Sequence, residues 1–275
     1  LELLSTPAEI EYPDSDGKPM AETDTHRDLM SNHILMFQAR YEHDPNAYVS
    51  GNNFIYYKEG EPKKFISPDV YYVPGVPKRK RNSYKVWEEG GRVPVIAFEF
   101  TSRSTKNEDQ VTKFKIYEQE LKTQELVYFD PTGDYLKPPL QGHRLVNGRY
   151  VRIEMVNGRL YSEELGLEIM ADGDNLRLYD PVTEEWLLTP REHRLRADQE
   201  ARRAHEQAQR ANEEAQRANE EAQRANEEAR ARAAAEAMAE MEARHAREEA
   251  EARKASEVEN ARLRAEIEAL RQGRG

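Results

Sequence analysis

Hydrophobic positions in the first 189 residues follow two different periods. Apolar residues recur at helical spacing through residues 27–42 and again through residues 107–121. Residues 47–57 have a strand-like pattern broken by a Gly-Asn turn, and the runs KFISPDVYYV, RVPVIAFEFTS and ELVYFDPTGDYL have the composition of strands. Two later Asn-Gly pairs, in VNGRYV and VNGRLY, predict hairpin turns. The order predicts an α+β domain whose mixed sheet has a covering helix on either side.

The pattern changes abruptly at Thr189-Pro190. Beyond it there is no aromatic residue, no further proline and no glycine before Gly273. Thr189 is followed by Pro190 and Glu192, which is a capping box with proline at the first helical position. Residues 190–271 are therefore predicted to form one helix of about 120 Å, at 1.5 Å per residue. The chain divides into a domain over residues 1–189 and a coiled-coil helix over residues 190–275.

The predicted helix contains a seven-residue repeat, which is the signature of a coiled coil. The run QRANEEA occurs at 209–215, 216–222 and 223–229, and alanine fills its a and d positions. Leu263, Ile267 and Leu270 repeat the same spacing out of frame with the alanines, so a stutter or skip separates the two blocks. We expect a homodimer whose firmest contact lies at this C-terminal end. The alternative is a single solvated helix supported by Glu–Arg pairs four residues apart.

Charge and composition exclude several kinds of site and segment. The formal net charge is −11, and residues 191–275 hold 18 basic and 20 acidic side chains, so the preceding residues carry −9. Cysteine is absent, which excludes disulfides and thiolate zinc sites and favours a reducing cytoplasm. No apolar run reaches the roughly 18–20 residues of a membrane helix. The first thirty residues have no apolar segment of the kind found in secretory signals.

Single carboxylates stand in two of the predicted strands. Asp69 follows Pro68 at the start of one strand, and Glu99 interrupts the most apolar stretch of the chain. Each could cap or pair locally, but an unpaired carboxylate in a buried strand is costly. Alternatively the two converge on a hard divalent cation such as Mg²⁺ or Mn²⁺, with a lysine of the following helix beside them. That combination is suited to metal-assisted phosphodiester hydrolysis.

The runs PDV, FEFTSRST, ED, TKFKIYEQ and ELVYFDPTGDYL resemble the Uma-type restriction endonuclease family, a branch of the PD-(D/E)XK nuclease superfamily. The resemblance extends from about residue 10 to residue 187 and implies a restriction-endonuclease-like fold and Mg²⁺-dependent cleavage of DNA. It implies that Asp69 and Glu99 are metal ligands and that Glu22, with His26 nearby, supplies a further acid. The superfamily's lysine would fall at Thr101, where it is missing, and Lys113 is the lysine that matches this branch.

A short basic run stands out from the acidic background. Lys78, Arg79, Lys80 and Arg81 follow one another in PKRKR. Such a run either contacts DNA phosphates or forms an ordinary solvated loop. Two functions therefore remain open: an endonuclease tied into an oligomer by its tail, or a catalytically silent relative that binds nucleic acid or acts as a scaffold.

Overall fold

The computed structural model describes residues 10–15, 23–101 and 108–272. Its strands are β1 (Ala47–Ser50), β2 (Ile55–Tyr56), β3 (Phe65–Ile66), β4 (Val70–Pro74), β5 (Tyr84–Lys85), β6 (Ile96–Phe100), β7 (Glu125–Phe129), β8 (Leu140–Val146), β9 (Arg149–Ile153), β10 (Arg159–Ser162), β11 (Leu167–Asp172), β12 (Asn175–Asp180) and β13 (Glu185–Trp186). Its helices are α1 (Asp24–Arg40), a 3₁₀ turn (Val86–Glu89), two π-helical stretches (Glu108–Lys113 and Ile116–Leu121) and α2 (Pro190–Gln272).

The central sheet is mixed and has six strands in the order β1-β4-β6-β7-β8-β9. Only β6 and β7 are parallel, and the chain between them carries the π-helical stretches. The other neighbours in this sheet are antiparallel. A four-stranded antiparallel sheet, β10-β11-β12-β13, and a small sheet, β3-β2-β5, complete the unit.

Both faces of the central sheet are covered. Helix α1 packs Phe37 against Phe98 of β6 on one face. The opposite face buries Tyr117 and Leu121 of the π-helical segment, together with Tyr71 of β4. The predicted α+β arrangement, a mixed sheet with a helix on either side, is therefore confirmed.

Both Asn-Gly pairs form tight turns. Asn147 and Gly148 have φ of 52° and 78°, and Asn157 and Gly158 repeat these values. Positive φ at both central residues is the geometry of a type I′ turn, which asparagine and glycine tolerate best. The first turn joins β8 to β9, as predicted. The second turn is closed by an isolated bridge between Val156 and Arg159, and β10, which follows it, pairs with β11 in the four-stranded sheet.

The four-stranded sheet lies on the same face of the central sheet as α1. Leu160, Leu167 and Leu178 point into the core that α1 also fills. Leu160 approaches β8 so closely that a Cβ at Gly142 would lie 2.2 Å from Leu160 Cδ1. The sequence predicts these strands but not their separation into a second sheet, because alternation identifies a buried face without identifying what covers it.

The capping box that begins α2 is present. The Thr189 backbone N–H donates to Glu192 Oε2 at 2.8 Å, and the Glu192 N–H donates to Thr189 Oγ1 at 3.3 Å. Arg177 of β12 pairs with the same glutamate at 2.6 Å. The helix continues to Gln272, and the chain divides into two compact units, Leu1–Ala197 and Asp198–Gly275. Among the described residues, no helix combines the length and the apolar character needed to cross a membrane.

Candidate active site

Two acidic residues lie side by side at one end of the β4–β6 pair. Val70 of β4 lies opposite Phe98 of β6 in antiparallel register, so one step further Asp69 stands beside Glu99. The Phe100 backbone N–H donates to Asp69 Oδ2 at 2.6 Å, which fixes the aspartate against the end of β6. The structure thus brings together the two acidic residues that the sequence singled out.

Glu99 is fully buried and its two oxygens accept hydrogen bonds from side chains of the π-helical segment. Lys113 Nζ lies 2.7 Å from Oε2, and the Tyr117 hydroxyl donates to Oε1 at 2.6 Å. Lys113, whose side chain is 13% exposed, also donates to the Ser67 carbonyl at 3.0 Å. The lysine thereby links the strand entry that carries Asp69 to the strand that carries Glu99. A nearby cation and a hydroxyl donor compensate the burial of a carboxylate.

Tyr117 is a permanent donor in this cluster. Burial raises the pKa of its hydroxyl well above the usual value, and the charge of Glu99 and its hydrogen bond to that glutamate raise the pKa further. The phenol therefore stays protonated at neutral pH and donates to Glu99. It restrains the orientation of the carboxylate.

Asp69 faces the first turn of α1 with its other oxygen. His26 Nε2 lies 3.1 Å from Asp69 Oδ1, and both side chains are largely buried. The N-cap Thr23 accepts the His26 backbone N–H at 3.2 Å, which sets the start of the helix at this point. The amino end of α1 thus lies beside Asp69, where its partial positive charge favours an anion.

A close backbone contact also fixes the position of Asp69. A Cβ built on Gly51 would lie 1.9 Å from the Asp69 carbonyl oxygen, so only glycine fits there. The neighbouring Asn52 N–H donates to the Pro68 carbonyl at 2.8 Å. The turn between β1 and β2 therefore packs against the backbone at Pro68 and Asp69 and holds it in position.

The oxygen-rich character of this cluster fits a hard divalent cation. Mg²⁺ is commonly held by one or two carboxylates and keeps several waters, which matches the pair Asp69 and Glu99. Within residues 10–15, 23–101 and 108–272, no group of three or more histidine or acidic side chains has the geometry of a metal cage. Glu22, the third predicted ligand, lies outside the described residues.

Thr101, where the resemblance described above would have placed a lysine, is buried. The Thr101 backbone N–H donates to the Phe129 carbonyl at 2.8 Å, directly after β6. Lys113 instead reaches Glu99 from the segment between β6 and β7, which lies on the Glu99 side of the sheet.

A family model described as "Uma2: Putative restriction endonuclease" matches residues 1–178. The chain belongs to the Uma2 family. The match covers β1 to β11 and ends within β12, before β13 and α2. A solved structure described as "a putative nuclease belonging to DUF820", from Anabaena variabilis, is similar to this chain at 12% identity and a TM-score of 0.36, covering 54% of this chain and 76% of the other. No curated protein matches this Uma2 member.

The basic run lies at the far end of β4 from the carboxylates. Asp69 precedes this strand and PKRKR follows it, and five residues alone span about 17 Å. Arg81 contacts Glu89 through two nitrogens, at 2.8 and 3.0 Å, and stacks 4.2 Å from the Tyr48 ring. Arg79 shares the same glutamate at 2.6 Å.

The remaining basic side chains of this Uma2 member border a groove. Lys78 Nζ donates to the Tyr41 and Glu42 carbonyls at the end of α1, and Lys80 is exposed. The groove has a volume of about 730 Å³ and lies between α1, β1 and the basic run. Within this run, Arg79 and Arg81 share the single carboxylate of Glu89.

Three groups that form or support this cluster were not predicted from the sequence. Tyr117 carried a usable signal, because it follows Lys113 by one helical turn and therefore shares its face. The Ser67 carbonyl and Gly51 carried none, since backbone contacts between distant segments leave no trace in local pattern.

Proposed function

We propose that this protein is a metal-dependent DNA endonuclease that hydrolyses phosphodiester bonds, with residues 1–189 as the nuclease-like domain and residues 190–275 as a self-associating coiled coil. The observation that carries the proposal is the juxtaposition of Asp69 and Glu99 with Lys113 on the second carboxylate. Membership of the Uma2 family supports the same class of activity. Asp69 and Glu99 would hold Mg²⁺ or Mn²⁺.

A bound divalent ion supplies a Lewis acid that acidifies a water and neutralises charge on a phosphate. The chain's own residues orient the two carboxylates. Tyr117 and Lys113 fix the orientation of Glu99, and the Phe100 N–H fixes Asp69. The Lys113 ammonium places positive charge beside the carboxylates, where a phosphate oxygen gains negative charge during the reaction. His26 borders the site from α1.

The direct test is a cleavage assay on plasmid and single-stranded DNA with Mg²⁺. We expect cutting by the parent and none in EDTA or by Glu99→Gln, which removes the charge of the side chain. Because this substitution leaves Lys113 without its carboxylate, circular dichroism must show that the variant is folded. Cleavage by Glu99→Gln at the parent's rate would contradict the assignment.

A second function has one observation in its favour. The protein's own donors, Lys113 and Tyr117, satisfy both oxygens of Glu99, so the carboxylate is stable in the fold without a bound metal ion. A catalytically silent relative, acting as a nucleic-acid-binding module or scaffold, would have the same internal pairing. Calorimetric titration with Mn²⁺ separates the two, since the endonuclease binds the ion stoichiometrically and the silent relative does not.

The basic run provides a prediction about DNA binding. Replacing Lys78, Arg79 and Lys80 by serine should weaken duplex binding and flatten its salt dependence, by about 0.9 in the log–log slope for each lost phosphate contact. Arg81 is kept because its contacts with Glu89 and Tyr48 support the fold. Anisotropy titrations on the Glu99→Gln background measure the effect.

The matched control for this experiment replaces Lys63 and Lys64, two exposed lysines just before β3, by serine. An equal slope in the parent and the triple variant would leave PKRKR as ordinary solvated surface. An equal loss in the control would indicate general charge attraction instead of a specific contact.

The tail provides a prediction about assembly. A chain ending at Ala197 keeps the capping box and the Arg177–Glu192 pair but loses the repeat. We expect it to fold as a monomer, with the circular dichroism of the sheets and a melting transition close to that of the parent. Light scattering that finds this shorter chain still dimeric would assign self-association to the nuclease-like domain.

A further inference from the structure

The distal part of α2 presents an apolar stripe to solvent. Every side chain described from His193 to Ala269 is exposed, including Leu263 at 47% and Ile267 at 50%. In proteins, most of the stability of a helix comes from packing its apolar face against another element. The stripe continues to Leu270 in the sequence, at the 4-3 spacing of a coiled coil.

The spacing assigns heptad positions without ambiguity. The step of four from Leu263 to Ile267 makes the leucine a d position and the isoleucine an a position, and Leu270 follows at d. The preceding a position is Asn260, and Ser256 occupies the preceding d position. A β-branched residue at a with leucine at d favours two parallel strands, and a single asparagine at a specifies register and oligomer state.

The charged residues on either side of the stripe agree with that assignment. The g positions are Glu259 and Glu266, and the following e positions are Arg264 and Arg271. In a parallel pair each g residue faces the e residue of the partner's next heptad, so both contacts join glutamate to arginine. An antiparallel pair would set glutamate against glutamate and arginine against arginine, which is repulsive.

The alanine block further upstream has the same preference. Its g positions are Glu214, Glu221 and Glu228, and its e positions include Asn219 and Asn226. Parallel pairing sets glutamate against asparagine, whereas antiparallel pairing brings glutamates together. Two blocks in different frames therefore select one direction independently.

We propose that residues 256–270, the C-terminal zipper, pair with the same segment of a second copy of this chain as a parallel, in-register, two-stranded coiled coil. This inference rests on the self-association included in the proposed function and adds its direction, register and strand number. The two chains enter such a pair from the same end.

Cysteine cross-linking tests the direction, because the chain contains no cysteine of its own. Ser256→Cys and Leu263→Cys each place one thiol at a d position of the full-length protein. In a parallel, in-register pair both residues face their own copies, within the Cα separation of about 5.5–6 Å that a disulfide needs. We expect both variants to form covalent dimers in oxidised glutathione. Ala265→Cys, which points away from the stripe at an f position, is the matched control and should cross-link poorly.

Each alternative gives a distinct result. An antiparallel pair brings at most one residue of the helix against its own copy, so one or neither variant would link alone and only a mixture could link efficiently. That outcome overturns the proposal, as does a sedimentation-equilibrium mass equal to, or three times, the 31.9 kDa of the chain. Neither measurement involves DNA, so the proposed nuclease activity can fail while the zipper stands, and the reverse.

Charge reversal provides an independent check. Glu259→Arg with Glu266→Arg makes the contacts with the second copy's Arg264 and Arg271 repulsive and should raise the dimer dissociation constant about tenfold or more. Adding Arg264→Glu and Arg271→Glu restores complementary pairs and should restore the affinity. An unchanged dissociation constant in the first variant would contradict parallel pairing, because in an antiparallel pair those contacts are already repulsive.

Discussion

Asp69→Asn is expected to abolish metal-dependent cleavage and to leave the fold intact. Substitutions in the outer shell of a metal site typically cost 10–100-fold in activity, so losing a direct ligand should reduce cleavage by about 100-fold or more. An asparagine oxygen can still accept the Phe100 N–H, which keeps the end of β6 in place. Removing one of two adjacent negative charges also relieves repulsion in the metal-free protein.

Melting curves with and without metal distinguish this role from a structural one. A ligand that binds only the native state raises its melting temperature, so Mn²⁺ should stabilise the parent and leave Asp69→Asn unchanged. Without metal the two proteins should melt at similar temperatures. A large loss of stability in metal-free Asp69→Asn would instead identify Asp69 as a structural partner of His26 and Phe100.

A carboxylate elsewhere in the fold supplies the matched control. Asp180 is buried, pairs with Arg40 of α1, and accepts the Val182 backbone N–H. The contact with Arg40 lowers the pKa of this aspartate, and burial opposes that effect. Asp180→Asn should reduce the free energy of unfolding by about 1–3 kcal/mol and leave cleavage by the remaining folded protein unchanged.

Local signals predicted the elements of this protein well. The capping box at Thr189 and the turns at Asn147 and Asn157 depend on residues within a few positions of one another, and all have the expected geometry. The separation of β10–β13 into a second sheet was not predictable, because it depends on Leu160 meeting Gly142 across eighteen positions.

For the site, too, the sequence predicted individual residues but not their contacts. The motifs identify Asp69, Glu99 and Lys113 as candidates, yet their meeting depends on the register of β4 with β6 and on the crossing between β6 and β7. The internal pairing of PKRKR was not predictable either, since Glu89 reaches Arg81 only after the 3₁₀ turn brings it back. Long-range contacts of this kind depend on the whole fold and give no signal in the local sequence pattern.

Lys113→Met is expected to damage both stability and activity, and for two separable reasons. The substitution leaves Glu99 buried without its cation, and breaking a buried ion pair from one side typically costs about 3–5 kcal/mol. It also removes positive charge from the carboxylate cluster, so cleavage should be lost. Lys115→Met, on the same segment but exposed, is the matched control and should resemble the parent in urea unfolding and in cleavage.

The double variant Lys113→Met with Glu99→Gln separates the two effects. It replaces the ion pair by two neutral groups, and the Tyr117 hydroxyl can still donate to the glutamine oxygen. Most of the lost free energy of unfolding should return, because neither partner is left as an uncompensated buried charge. Cleavage should remain absent, since the charge of Glu99 and the ammonium are both missing. If Lys113→Met were stable and fully active, Lys113 would not be the catalytic lysine. If the double variant were no more stable than Lys113→Met, the ion pair would not be the contact that holds this end of the π-helical segment to the sheet.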